Sequence, residues 1–169
     1  MVPKHEIIAA EYQHAYINLI KEDDVLKALE KNTRQFKKFL KKIPHGKIDH
    51  AYGEGKWTIK EVLQHIIDAE RVFAYRALRF ARKDETPLPG FDENAWAAHA
   101  GATKRKWNDL VEEFKQLRKS TEQLFGSFTD EQLRATGTAN GQAANVLALG
   151  FLPAGHAAHH MRILEERYL

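Results

Sequence analysis

Apolar residues recur every three to four positions in four long stretches of this 169-residue chain, and strand-type alternation is nearly absent. That period commits the chain to helices with one apolar face each, and those faces must be buried against one another. The first stretch runs from about Asp23 to Ile43, with Asp23 or Asp24 as N-cap and with Pro44 and Gly46 to stop it. The second starts near Thr58, where Glu61 three residues on completes a capping box, and ends about Arg82. The third spans roughly Thr103 to Phe125 and the fourth roughly Gln142 to Tyr168. Such helices are about 30 to 39 Å long at 1.5 Å per residue. The expectation is an all-α protein, an up-down-type four-helix bundle forming a single domain over residues 1–169, with residues 1–20 a short N-terminal helix or arm. Pro153 falls inside the fourth stretch and is expected to kink it or to begin a new helix there, because proline removes a backbone donor.

Composition narrows the function classes. The chain has no cysteine, which excludes disulfides, thiolate metal sites and a protein-borne thiol nucleophile, and agrees with a cytoplasmic location. Glu6, Glu11 and two histidines interrupt the N-terminus where a signal peptide needs an apolar core, and no apolar run approaches the roughly 20 residues that span a bilayer. The net charge is only +3, and the basic clusters lie on or beside amphipathic helices with acids nearby. They read as solvated helix faces rather than as a nucleic-acid surface.

Three of the nine histidines carry the chemistry. His156 and His160 are four apart, so on a helix they share one face and can grip one cation together. That face also holds Leu149, Leu152 and Ile163 and points inward. His65 lies at the edge of the apolar stripe of the second helix and can complete a three-histidine site with a position left open, the form of catalytic zinc sites. The competing reading is a set of hydrogen-bonded core histidines. With no other inward polar cluster in the sequence, the balance shifts toward metal. His159 sits on the flank, as a ligand-orienting donor or simply exposed. Asp68, one turn beyond His65, is the nearest carboxylate, able to orient an imidazole or take a proton, or else a surface acid.

Other chemistries fit poorly. A di-iron bundle needs two ExxH motifs, and only Glu11 to His14 fits, in the N-terminal arm. There is no HExxH, GxSxG or phosphate-binding glycine loop. The connection Pro87 to Trp96, with Phe91, Asp92, Asn94 and Trp96, can form a pocket rim or serve as a plain helix connector. Arg71 and Arg76 can bind a substrate carboxylate or pair on the helix surface.

The segment GKWTIKEVLQHIIDAERVFAYRALRFARKDETPLPGFDENAW, followed by AGHAAHHMRILEERYL, resembles the DinB-like, YfiT-type superfamily. Trp57 ahead of the first histidine and Gly155 directly before the HxxxH match that pattern. The resemblance implies a four-helix bundle in which His65, His156 and His160 bind one divalent ion, with zinc, nickel or iron all compatible. It implies a small-molecule substrate, and for some members a low-molecular-weight thiol cosubstrate such as bacillithiol, mycothiol or glutathione. Because this chain has no cysteine, the cosubstrate would have to bring its own sulfur, or water would serve in a hydrolysis. The expectation is a metal-dependent S-transferase or hydrolase acting on a small electrophile. The alternative is a non-catalytic, stress- or damage-inducible protein that binds a metal or small ligand. A homodimer through the first or third helix is compatible with the family, with no interface located.

Overall fold

In the computed structural model, which describes residues 2–169, the chain forms α1 (Glu11–Ile17), α2 (Val25–Leu40), α3 (Ile59–Ala81), α4 (Glu93–His99), α5 (Trp107–Gly126), α6 (Asp130–Arg134), a hairpin of β1 (Thr136–Ala139) and β2 (Gln142–Asn145), and α7 (Val146–Arg167). Side-chain caps fix three of the long helices. Asp24 accepts from the Lys27 amide at 2.7 Å. Glu61 accepts from the Thr58 amide at 2.7 Å while the Thr58 hydroxyl accepts from the Glu61 amide at 3.3 Å, the expected reciprocal pair. Asn145 accepts from the Ala148 amide at 2.9 Å and starts α7 there, four residues later than the periodicity suggests. The residues before it are spent on the hairpin. α5 likewise begins at Trp107 rather than Thr103, because residues 102–104 form a separate 3-10 turn. α7 runs unbroken through Pro153, so no second helix begins there.

Helices α2, α3, α5 and α7 make the bundle, and both α2 and α3 pack against both α5 and α7. The ring therefore places α2 and α3, neighbours in sequence, across from each other. Two apolar clusters give the helix directions. One joins Val25 and Leu29 to Phe73–Ala81, Phe125 and Val146–Ala154; the other joins Phe36–Leu40 to Ile59–Ile67, Leu110–Phe114 and Ala157–Tyr168. So α2 and α7 run one way and α3 and α5 the other. Parallel α3 and α5 cannot be joined by a short turn. Their connection, residues 82–106, must return along the bundle, and it carries α4, capped by Asp92 through the amides of Asn94 and Ala95 at 3.0 Å each.

A buried polar belt separates the two clusters. Arg118, fully buried, donates from Nε to both Glu70 oxygens at 2.9 and 3.0 Å, from Nη1 to Asn32 Oδ1 at 2.8 Å, and from Nη2 to the Pro153 carbonyl at 3.2 Å. Thr121 donates to Glu70 at 2.7 Å. One guanidinium thus touches all four bundle helices. This corrects the expectation that no other inward polar cluster exists. Such a belt specifies helix register, because sliding any one helix strands a buried charge.

α1 lies on α7, and Gly155 lets it: a Cβ there would stand 2.4 Å from the Tyr16 carbonyl oxygen. The hairpin turns at Asn140 and Gly141, whose φ angles of 52° and 70° suit a tight two-residue loop. It also anchors the crossover, since Leu88 and the hairpin exchange backbone hydrogen bonds at 2.9 Å.

Candidate metal centre

Antiparallel neighbours α3 and α7 bring His65 opposite His156 and His160. The Nε2 atoms of His65 and His156 lie 2.9 Å apart, and those of His156 and His160 lie 3.0 Å apart. One donor nitrogen from each ring falls within 4.8 Å of the others. Two nitrogens bound to one zinc-sized ion at tetrahedral angles stand about 3.3 Å apart, so a slight opening of the cluster accommodates a cation. The donor set fits. Three convergent imidazole nitrogens cannot all be hydrogen-bond donors to one another, and a shared cation satisfies all three lone pairs at once.

Burial sets their protonation. His65 and His156 are almost fully buried. Desolvation pushes the His65 imidazole down to about 4 and that of His160 down to about 3. His156 is lowered well below its ordinary value, by burial first and then by the neighbouring His160 and His65. All three are neutral near pH 7, the state in which imidazole binds metal. Aromatic rings hold them in place: Trp57 packs on His65 with centroids 4.9 Å apart, while Tyr16 and Phe73 set edges against His156 at 5.6 and 6.0 Å.

A cavity of about 190 Å³ opens on this cluster, with His65 and His156 in its wall. Along α3 the wall continues through Ala69 and Phe73 to Arg76; α1 supplies Tyr12, Gln13 and Tyr16; the crossover supplies Gly90, Phe91 and Glu93. The crossover that parallel α3 and α5 require is thus the cavity's roof. A second recess of about 240 Å³ has His160 in its wall, together with Tyr52, Trp57 and Tyr168.

A model of the DinB superfamily matches residues 28–164. The chain belongs to the DinB superfamily. A proposed metal-dependent hydrolase of Oceanobacillus iheyensis is 32% identical over 73 residues, a match spanning 43% of this chain and 42% of that protein. YfiT of Bacillus subtilis, which carries the same description, is 23% identical over 149 residues, 85% of this chain and 82% of that one. The solved structure of YfiT, described as an unusual four-helix bundle, superposes with a TM-score of 0.72 at 20% identity, covering 94% of this chain and 87% of that one. A mycothiol-dependent maleylpyruvate isomerase superposes with a TM-score of 0.71 at 12% identity, covering 86% of this chain and 61% of the other. The DinB bundle expected from the sequence is therefore the fold observed.

Within this DinB bundle the remaining sequence candidates separate. Asp68 does not touch the three rings: it accepts from Gln64 at 2.9 Å, lies 3.6 Å from Arg71, and faces a shallow recess beside Trp96 and His99. Burial raises its carboxyl above the usual range. His159 is half-buried, its ring set edge-on against Tyr16 at 5.0 Å and beside His160 at 5.1 Å. From the crossover, Phe91 lines the main cavity and stacks on Trp96 at 4.5 Å, while Asn94 lines the second recess. Arg71 pairs with Glu113 of α5 at 2.6 Å; Arg76 instead faces the main cavity. Tyr12, Gln13, Tyr16 and Asn140 were not foreseen, since nothing local in the sequence places α1 or the hairpin beside the histidines.

Proposed function

We propose that His65, His156 and His160 together hold one divalent cation, and that the protein is a metal-dependent enzyme acting on a small molecule admitted by the adjoining cavity. The observation that carries this reading is the convergence of three neutral imidazole nitrogens, with His65 and His156 buried in the cavity wall and His160 partly buried beside them. Nitrogen donors of this kind suit zinc, nickel or iron. When bound, the cation supplies Lewis acidity, polarising a carbonyl or acidifying a water or thiol beside it. The chain's own groups do the rest. Burial keeps the imidazoles deprotonated, the aromatic packing of Trp57, Tyr16 and Phe73 fixes their orientation, and the apolar wall of Ala69, Phe73 and Leu152 limits water at the reacting position.

The relatives' descriptions favour hydrolysis. A thiol-dependent reaction is the second reading, favoured by the mycothiol-dependent structural neighbour and by a chain with no cysteine of its own, which leaves the thiol role to a cosubstrate. The test is turnover by metal-loaded protein of an activated ester without thiol, and of a chloro-dinitroarene with glutathione or bacillithiol. Ester cleavage abolished in His160→Ala supports the hydrolase. Conjugation dependent on both thiol and His160 supports the transferase. Metal-loaded protein that turns over neither, across a panel of esters and electrophiles, leaves a binding protein.

A further inference from the structure

Arg76 is a buried cation without a counter-ion. It is 6% exposed, lies in the cavity wall, and makes one hydrogen bond, from Nη2 to the Pro89 carbonyl at 2.7 Å. No carboxylate lies within ion-pairing distance of it among the described residues, although Glu93 lines the same cavity. The contrast with Arg118 is direct: that guanidinium, fully buried, holds Glu70 and uses all three nitrogens. Arginine carries five N–H donors in a planar fork suited to a carboxylate, and buried charges in folded proteins are normally paired. Here the unpaired donors face the cavity.

We infer that Arg76 is the anchor for a carboxylate group of the substrate, and that the cavity takes an elongated small-molecule acid. Arg76 follows His65 by eleven residues, which returns to the same face of α3 within about 20° and about 16 Å further along its axis. Ala69 and Phe73 lie between them in the wall. The cavity is thus cationic at one end, apolar in the middle and imidazole-lined at the other. An occupant held at Arg76 presents its distal end to the histidines, so the reacting bond lies several atoms from the carboxylate. The volume of about 190 Å³ suits an aromatic or short aliphatic chain; a dry cavity of about 150 Å³ accepts benzene. This substrate class rests on the enzyme reading above, but the anion site itself does not need the metal.

The probe is sodium benzoate against benzamide, which has nearly the same shape and no charge. Binding is measured by calorimetry on metal-free, full-length protein and repeated after loading with zinc. Wild type is expected to bind benzoate at least tenfold more tightly than benzamide without metal. Arg76→Met should lose that preference, Arg76→Lys should keep most of it, and Arg71→Met should match wild type. With no benzoate present, Arg76→Met should melt no lower than wild type, because methionine removes an unpaired buried charge. Equal binding of benzoate and benzamide by metal-free wild type, or an undiminished preference in Arg76→Met, overturns the assignment. So does a lowered melting temperature in Arg76→Met with benzoate selectivity absent from Arg76→Lys, since Arg76 would then serve to tether Pro89. Benzoate binding only after zinc loading rejects the Arg76 site and leaves the metal reading standing. Benzoate selectivity without any metal uptake does the reverse.

Discussion

Glu70→Gln isolates a buried charge at the centre of the bundle. Glu70 is 1% exposed and Arg118 is fully buried, and the carboxylate accepts from Nε of the guanidinium and from the Thr121 hydroxyl, with Nη2 at 2.9 Å completing the ion pair. The amide keeps the volume but removes the negative charge, leaving Arg118 with only neutral acceptors, the amide oxygen, Asn32 and the Pro153 carbonyl. Breaking a buried pair from one side costs about 3 to 5 kcal/mol. That is a large part of the roughly 5 to 15 kcal/mol that holds a typical domain folded. For a chain of this size it lowers the melting temperature by roughly 6 to 20 °C, at about 2 to 4 °C per kcal/mol. Urea titration of metal-free protein should show a lower midpoint with an unchanged slope. Replacing both partners, Glu70→Leu with Arg118→Met, removes the stranded charge and should recover most of the loss. If Glu70→Gln unfolds within about 1 kcal/mol of wild type, the belt does not couple the four helices as described.

Gly155→Ala should push α1 away from α7, because its Cβ would lie 2.4 Å from backbone that cannot yield cheaply; we expect a loss of about 1 to 3 kcal/mol by thermal melting, as for other overpacked sites. In metal-free protein, acid should destabilise the fold. His65 titrates near its ordinary 6.5 when unfolded but at about 4 when folded, so the unfolded state binds more protons between those values and stability falls as pH drops from about 6.5 towards 4. The contribution of His65 across that window is about 3 kcal/mol at 1.36 kcal/mol per pH unit, and urea midpoints at pH 7.5 and 4.5 should lie closer together in His65→Gln than in wild type, with His156 and His160 carrying the acid sensitivity that remains. Asp68→Asn should retain metal as well as wild type does, since Asp68 is engaged by Gln64 and faced by Arg71 rather than by the imidazoles; metal loss measured by mass spectrometry would place it in the ligand network.

The long helices and the histidine cluster were legible because both are written in the 3.6-residue period. His156 and His160 face inward with Leu152, and the Thr58–Glu61 cap stands where its two residues predict it. The hairpin was missed although Asn140-Gly141 is a strong turn signal, because its four-residue strands are built from glycine, alanine and polar residues without apolar alternation. α4 has only seven residues, too few for a period to show. The polar belt did leave a trace. Leu110, Phe114, Arg118, Thr121 and Phe125 form one buried stripe on α5, with Asn32 between Leu29 and Phe36 on α2 in the same manner. A charge inside such a stripe is a sign of burial rather than of a solvated face. The cavity could not be read at all, since it is assembled from α1, α3, the crossover, the hairpin and α7, whose approach depends on packing over long sequence separations.

The central claim is that three histidines bind one cation, and metal content tests it most directly. Untagged wild-type protein, His65→Ala and His160→Ala should be stripped, reloaded with zinc or nickel, desalted and analysed by mass spectrometry. The account predicts close to one equivalent per chain in wild type and almost none in either variant, with both variants still folded by circular dichroism. Wild type that retains no metal, or variants that retain as much as wild type, would contradict it.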